Sequence, residues 1–225
     1  MLKAIIFDFD GVIADTEPLH LKAFQLTLAD NGIDLSHQEY VEDYLAYDDK
    51  TFFKELFKNK EIDHDGALIE DYMEQKSQHF ESVLRGNIII LEGVPDFIRE
   101  IKDIYPLSIG SGALRAEIVE ILNYAGLMEH FDIIVSADDV ENCKPDPEVY
   151  NKVLDQLNSA ANSEIKAGEC LVIEDSISGI KAAHQAGMKC LAISNSYSEK
   201  ELSDAELVVS SLSSVSVSKI QELFK

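Results

Sequence analysis

The sequence predicts an α/β fold, with a parallel sheet core flanked by helices on both faces and a small α-helical domain inserted early in the chain. Three observations lead there. Short β-branched runs recur at Lys3–Phe9, Pro106–Gly110, Ile133–Val135, Cys170–Ile173, Lys189–Ile193 and Glu206–Val209. Segments of helical period separate most of them: Leu114–Ala125, Glu148–Leu157 and Ile177–Ala186. Gly126 and Gly187 follow two of these segments, and glycine tolerates the left-handed conformation that ends a helix. Strands alternating with helices imply a parallel sheet covered on both faces. Thirdly, the stretch from Asp15 to Asn87 breaks this rhythm, being nearly strand-free with helical patterns at Pro18–Asn31, Ser36–Leu45, Asp48–Lys58 and Gly66–Leu84. Phe52, Phe53, Leu56 and Phe57 form the apolar stripe of one of those helices and read as core. The expected organisation is a core of residues 1–14 and 88–225, with the sheet resuming near 88, and a helical insert of 15–87. A serine-rich connector, Ser210–Ser218, precedes a last short helix.

A chain of 225 residues that is 46% hydrophobic can bury a full core. Its 42 acidic and 19 basic residues leave a formal net charge of −23, which repels phosphate backbones and anionic lipid. Nucleic acid and membrane surfaces are therefore excluded as expected partners. A small molecule is favoured, and any anionic substrate needs a cation at its site. No apolar run reaches the roughly 18 residues of a membrane span. Cys143, Cys170 and Cys190 form an odd, widely spaced set with neither a disulfide nor a zinc pattern, which points to a reducing cytoplasm.

Four segments carry candidate chemistry. Asp8-Phe9-Asp10-Gly11 puts two carboxylates at the end of the first strand, where ligands bind in open α/β sheets. It resembles part of a calcium loop, but the twelfth position from Asp8 is Leu19 rather than Glu. Ser111, Gly112 and Ala113 close the next sheet strand, offering a hydroxyl and backbone N–H groups suited to phosphate, although a serine helix cap is the more common explanation of such a segment. Lys144 lies between Cys143 and Pro145 in a two-proline loop, a setting more often simply solvated. Glu174-Asp175-Ser176-Ile177-Ser178-Gly179 again sets adjacent acids at a strand end.

In this order, on alternating strands, the four segments resemble the motifs of the haloacid dehalogenase superfamily, and the match spans Asp8 to Gly179. The insert looks like that superfamily's C1 cap, as in the β-phosphoglucomutase and phosphoglycolate phosphatase branch. The resemblance implies a Rossmann-like core with an α-helical cap and a phosphotransferase acting on a small phosphorylated metabolite. It assigns Asp8 as the nucleophile that becomes an aspartyl-phosphate, and Asp10 as general acid and then base. It implies Mg²⁺ held by the Asp8 carboxylate, the Asp10 backbone carbonyl and Asp175, with Glu174 bound directly or through water. Lys144 would offset the negative charge, and Ser111 with the Gly112 and Ala113 amides would hold phosphate oxygens. The four acids sum to −4 and Mg²⁺ with Lys144 to +3, so a protonated Asp10 would leave the site neutral.

Thr16 and His20 fit a D-[TS]-x-x-x-H pattern common after the first motif in that branch, which would orient Asp10; Thr16 reads equally as a helix cap. The other histidines show no ligand spacing. The resemblance leaves hydrolysis and a sugar phosphomutase activity both open. Mutases of the β-phosphoglucomutase type carry a cap arginine in a G-x-S-R setting, whereas Ala46-Tyr47-Asp48-Asp49-Lys50 places Asp49 there. A carboxylate repels a second phosphate, so phosphatase is the favoured expectation, with Lys50 and Lys76 as the cap cations that could compensate. A metal-dependent glycosyltransferase built on the D-x-D pair, and a non-catalytic module of the same fold, are the readings from other classes. The chain is expected to act as a monomer.

Overall fold

The computed structural model describes residues 1–45, 47–84, 87–160 and 164–225. The chain divides into two compact units, Met1–Asp15 with Ile89–Lys225, and Thr16–Ile88.

The first unit is built on a six-stranded parallel sheet in the order β5-β4-β1-β6-β7-β8. Its strands are β1 (Ala4–Phe7), β4 (Leu107–Gly110), β5 (Ile133–Val135), β6 (Cys170–Glu174), β7 (Lys189–Ile193) and β8 (Leu207–Val209). All four residues of β1 are buried, as an interior parallel strand covered on both faces requires. Successive side chains point to opposite faces. Ala4 and Ile6 join one cluster with Val149 and Val153 of α7 (Glu148–Ala160) and Ile180 of α8 (Ile177–Gln185). On the other face, Phe7 meets Phe97 of α5 (Val94–Ile101) and Phe131 edge-on, at 6.4 and 5.7 Å between centroids. Register fixes the site: Phe7 stands opposite Ile109 of β4 and Ile173 of β6. The residues that follow each of these strands therefore emerge side by side. Helices α6 (Arg115–Ala125) and α9 (Val217–Glu222) also belong to this unit.

Two features depart from the sequence reading. The main sheet does not resume near residue 88. Instead β3 (Ile89–Ile90) pairs antiparallel with β2 (Ala14–Asp15) in a separate ribbon, and the main sheet restarts only at Leu107. Between them lies α5, whose Val94, Phe97, Ile98 and Ile101 are all buried, an i, i+3, i+4, i+7 stripe that the strand-based reading passed over.

The second unit is helical: α1 (Glu17–Asp30), α2 (His37–Glu39) running into a π-helical turn at Tyr40–Tyr44, α3 (Asp49–Asn59) and α4 (Gly66–Leu84). Asp48 caps α3, accepting from the Thr51 N–H at 3.0 Å. Ser36–Leu45 was expected as one helix, and Ser36 does cap its start. The π turn interrupts it where Tyr40 and Tyr44 both pack on Phe52, at 6.0 and 5.2 Å, so packing prevails over local period. Ala46, in the stretch compared above with the G-x-S-R setting, lies outside the described residues. Among the described residues, no helix is long and apolar enough to cross a membrane.

Phe52 is the hub of this aromatic core, fully buried and stacked on Phe24 at 3.8 Å. Phe52→Ala should cost about 3–5 kcal/mol in a denaturant titration.

Candidate active site

The register brings three of the four motifs to one end of the sheet. Asp8 continues β1, its N–H donating to the Ile173 carbonyl at 2.9 Å, and Glu174 closes β6. Asp8, Glu174 and Asp175 each offer a ligand atom, and these atoms lie within 4.8 Å of one another, all three residues being buried.

Lys144 is what makes that crowding tolerable. Its Nζ lies 2.8 Å from Asp8 Oδ1 and 2.8 Å from Glu174 Oε1, so the solvated-surface alternative for this lysine does not hold. The Glu148 carboxylate pins its loop by accepting from the Glu141 and Asn142 N–H groups. Glu174 is fully buried and saturated with donors. Oε1 accepts from Lys144 and from the Tyr150 hydroxyl, each at 2.8 Å. Oε2 accepts from the Asp175 N–H, the Ser176 N–H and the Ser176 hydroxyl, at 2.9, 3.0 and 2.9 Å.

The protonation equilibria follow from this geometry. Burial pushes Asp8 up to about 7, with Glu174 and Asp10 adding to the rise and Lys144 opposing it. Burial also lifts Asp175 well above the carboxylate range, helped by the charges of Glu174 and Asp8. Burial would raise Glu174 too, but Lys144, Tyr150 and Ser176 outweigh it and hold it low. Burial disfavours the Lys144 charge, yet Asp8 and Glu174 outweigh that and keep it protonated. Burial raises the Tyr150 phenol far above 10, so it serves Glu174 as a donor.

The cluster fits a hard divalent cation. Its donors are all carboxylate oxygens, and two of the three acids gain charge only against a strong penalty, which a cation would remove. Two glycines make the space. A Cβ on Gly11, at φ +69°, would stand 1.9 Å from Asp175 Oδ2, and a Cβ on Gly179 would stand 1.6 Å from Glu174 Oε1. Neither motif can carry a side chain there.

The second motif is less simple than expected. Ser111 is buried at the end of β4, but it caps no helix, since the N-cap of α6 is Leu114. Its hydroxyl accepts from the Ala113 N–H at 3.2 Å, so that amide already has a partner within the loop. The capping alternative for Ser111 is thereby removed. Gly112 lies between them in the same turn.

The second unit contains its own polar cluster. Lys76 is 1% exposed, with Nζ 2.9 Å from Asp49 Oδ2 and 2.8 Å from His20 Nδ1. The ammonium also lies over the rings of Phe24 and Phe80, at 5.2 and 4.9 Å. Desolvation and the Lys76 charge push His20 well below its usual pKa, so it remains a neutral acceptor. Asp49 is therefore not the bare repelling carboxylate expected from the sequence, because Lys76 pairs with it. Lys50 is exposed on α3. Thr16 stands at the N-cap of α1, but its hydroxyl makes no capping bond and it is buried.

Residues 5–193 match the sequence profile of the family described as Haloacid dehalogenase-like hydrolase. The chain belongs to that family. Among its members, the "Phosphorylated carbohydrates phosphatase" of Thermotoga maritima is 31% identical over 84% of this chain and 83% of its own. The crystal structure of CbbY from Rhodobacter sphaeroides in complex with phosphate superposes with a TM-score of 0.87 at 26% identity, covering 98% of this chain and all of that one. β-Phosphoglucomutase from Clostridium difficile gives 0.85 at 26% identity, covering 100% and 97%. This hydrolase has the fold expected of the family.

Sequence reasoning missed Tyr150, because it reads as one more residue on the apolar face of α7. It also missed Asn195 and Ser196, although their place just beyond β7 is the signal that singled out the other strand ends. Tyr150→Phe removes one donor from a buried carboxylate and should cost about 1.5–3 kcal/mol in urea unfolding. Lys144→Met strands two carboxylates and should cost more, about 3–5 kcal/mol.

Proposed function

We propose that this hydrolase is a Mg²⁺-dependent phosphatase of small phosphorylated metabolites, of the sugar-phosphate class, working through an aspartyl-phosphate on Asp8. The observation that carries the reading is the buried Asp8–Glu174–Asp175 cluster balanced by Lys144 at the carboxyl ends of β1 and β6. We read unit 1 as the catalytic core and unit 2 as the cap.

In this reading an Asp8 oxygen attacks phosphorus, and the ester oxygen leaves with the Asp10 proton. Water then attacks the phosphorus of the aspartyl-phosphate while Asp10 takes up its proton, releasing inorganic phosphate and restoring Asp8. Lys144 steadies charge on Asp8 and the transferring group. Ser111 and the Gly112–Ala113 turn bind phosphate oxygens, the Ala113 N–H exchanging its Ser111 contact for one to the substrate. Mg²⁺, held by Asp8, Asp175 and the Asp10 carbonyl, would neutralise phosphate charge and fix the in-line approach. Glu174, whose two oxygens already accept from five donors, would help to hold it through water.

The sugar phosphomutase is the second reading, favoured by the structural likeness to β-phosphoglucomutase. The Asp49–Lys76 pair argues against it on different grounds from those of the sequence. A neutral pair neither repels a second phosphate nor supplies the anchoring charge a bisphosphate intermediate needs. Thr16 and His20 remain hinge candidates, and Lys50 the exposed cap cation.

Asp8→Asn should abolish hydrolysis of an aryl phosphate while the protein stays folded. Retention of more than about a tenth of wild-type kcat, a barrier change below roughly 1.4 kcal/mol, would remove Asp8 as nucleophile. EDTA should stop turnover, with Mg²⁺ restoring it and Ca²⁺ failing to, since calcium's looser shell spoils the octahedral arrangement. To separate hydrolysis from isomerisation, β-glucose 1-phosphate is supplied with catalytic glucose 1,6-bisphosphate, and glucose 6-phosphate and inorganic phosphate are followed separately. Phosphate release without isomerised product is expected; isomerisation faster by tenfold or more would establish the mutase.

A further inference from the structure

Ser194-Asn195-Ser196, just beyond β7, belongs to none of the four motifs, yet it touches both sides of the carboxylate cradle. Asn195 Nδ2 donates to the Gly11 carbonyl at 2.7 Å, across 184 positions of sequence. The Ser196 hydroxyl donates to Asp175 Oδ2. Neither is local turn chemistry, and neither residue caps a helix among the described residues. The convergence is tight: a Cβ on Gly11 would lie 1.9 Å from Asp175 Oδ2 and 3.2 Å from Ser196 Oγ. Register explains how the segment arrives there. Glu174 stands opposite Ala192 of β7, so the chain beyond β7 runs alongside the chain beyond β6.

We infer that Asn195 and Ser196 are positioning residues for the cation site, acting as a clamp that joins the Asp8–Gly11 loop to Asp175. This rests on the reading of Asp8, Glu174 and Asp175 as metal-holding residues. Ser196 holds one oxygen of Asp175 and so fixes the rotation of its carboxylate, presenting the other oxygen to the cation. Asn195 holds the Gly11 carbonyl and thereby the path of the backbone from Asp8 through Asp10. A carboxylate free to rotate, on a loop free to shift, pays an ordering cost each time a cation binds; the clamp removes that cost in advance.

The experiment measures Mn²⁺ binding through the electron paramagnetic resonance of the free ion, on wild type, Ser196→Ala, Ser196→Thr, Asn195→Ala and Asp175→Asn. Circular dichroism and the metal-free unfolding midpoint establish that each variant is folded. Wild type is expected to bind Mn²⁺ and Asp175→Asn to lose it. Ser196→Ala and Asn195→Ala should each raise the Kd by about tenfold or more. Ser196→Thr, which keeps the hydroxyl, should stay within about twofold of wild type. A Kd unchanged in both alanine variants would overturn the clamp while leaving the metal reading intact. A threonine variant as weak as the alanine variant, though folded, would show that the hydroxyl does not carry the effect, and would also overturn it. A wild type that binds no Mn²⁺, or an Asp175→Asn variant that binds it normally, would overturn the metal reading and the clamp together.

Discussion

The Lys144 ammonium, shared between the buried carboxylates of Asp8 and Glu174, constrains much of the surrounding structure. Bringing three charged groups out of water is costly, and their mutual attraction repays that only when the geometry is held and the remaining lone pairs are satisfied. Tyr150 and Ser176 satisfy them at Glu174, and the absence of a side chain at Gly179 lets that carboxylate lie against α8. The two prolines and the Glu148 carboxylate keep the lysine loop from straying. Remove the lysine and the arrangement becomes a pair of uncompensated buried anions.

The helical unit solves a related problem with different materials. Lys76 is also withdrawn from water, and it too faces an acid, Asp49. Its other neighbours are a neutral imidazole and the faces of Phe24 and Phe80, which attract a cation through their ring quadrupoles. Asp49 is its ion-pair partner, and the ring faces add to that attraction. In the sheet unit two carboxylates flank one lysine, so the balance leaves an excess of negative charge, which suits a hard divalent cation.

Much of this could be read in the residues alone, for definite reasons. Strand ends announce themselves when β-branched runs stop at acids, as at Asp8 and Glu174-Asp175, and the parallel order follows from the alternation with helices. The two-residue ribbon of β2 and β3 could not be read, because Ala14-Asp15 and Ile89-Ile90 are too short to show a period. The π turn at Tyr40–Tyr44 was hidden because its sequence keeps a helical pattern, and only packing against Phe52 reveals the wider turn. The Asp49–Lys76 pair was missed because charge was judged residue by residue. Pairs far apart in sequence and buried together are invisible to that method, and the same blindness concealed Asn195 and its bond to Gly11.

The place of β1 has a consequence for how the protein is made. Strand β1 lies inside the sheet, with one flank paired to β4 and the other to β6, both of which are synthesised after it. Its second neighbour, Cys170–Glu174, is synthesised only after the helical insert and most of the core. Until then Asp8 sits at the end of a strand with an open edge, and the long loop between the two partners must close before their contacts count. A nascent chain halted before Cys170 therefore has the helical unit complete, but neither the lysine's second partner nor an interior for its first strand. The Asp8–Lys144–Glu174 arrangement is therefore complete only once β6 has paired with β1.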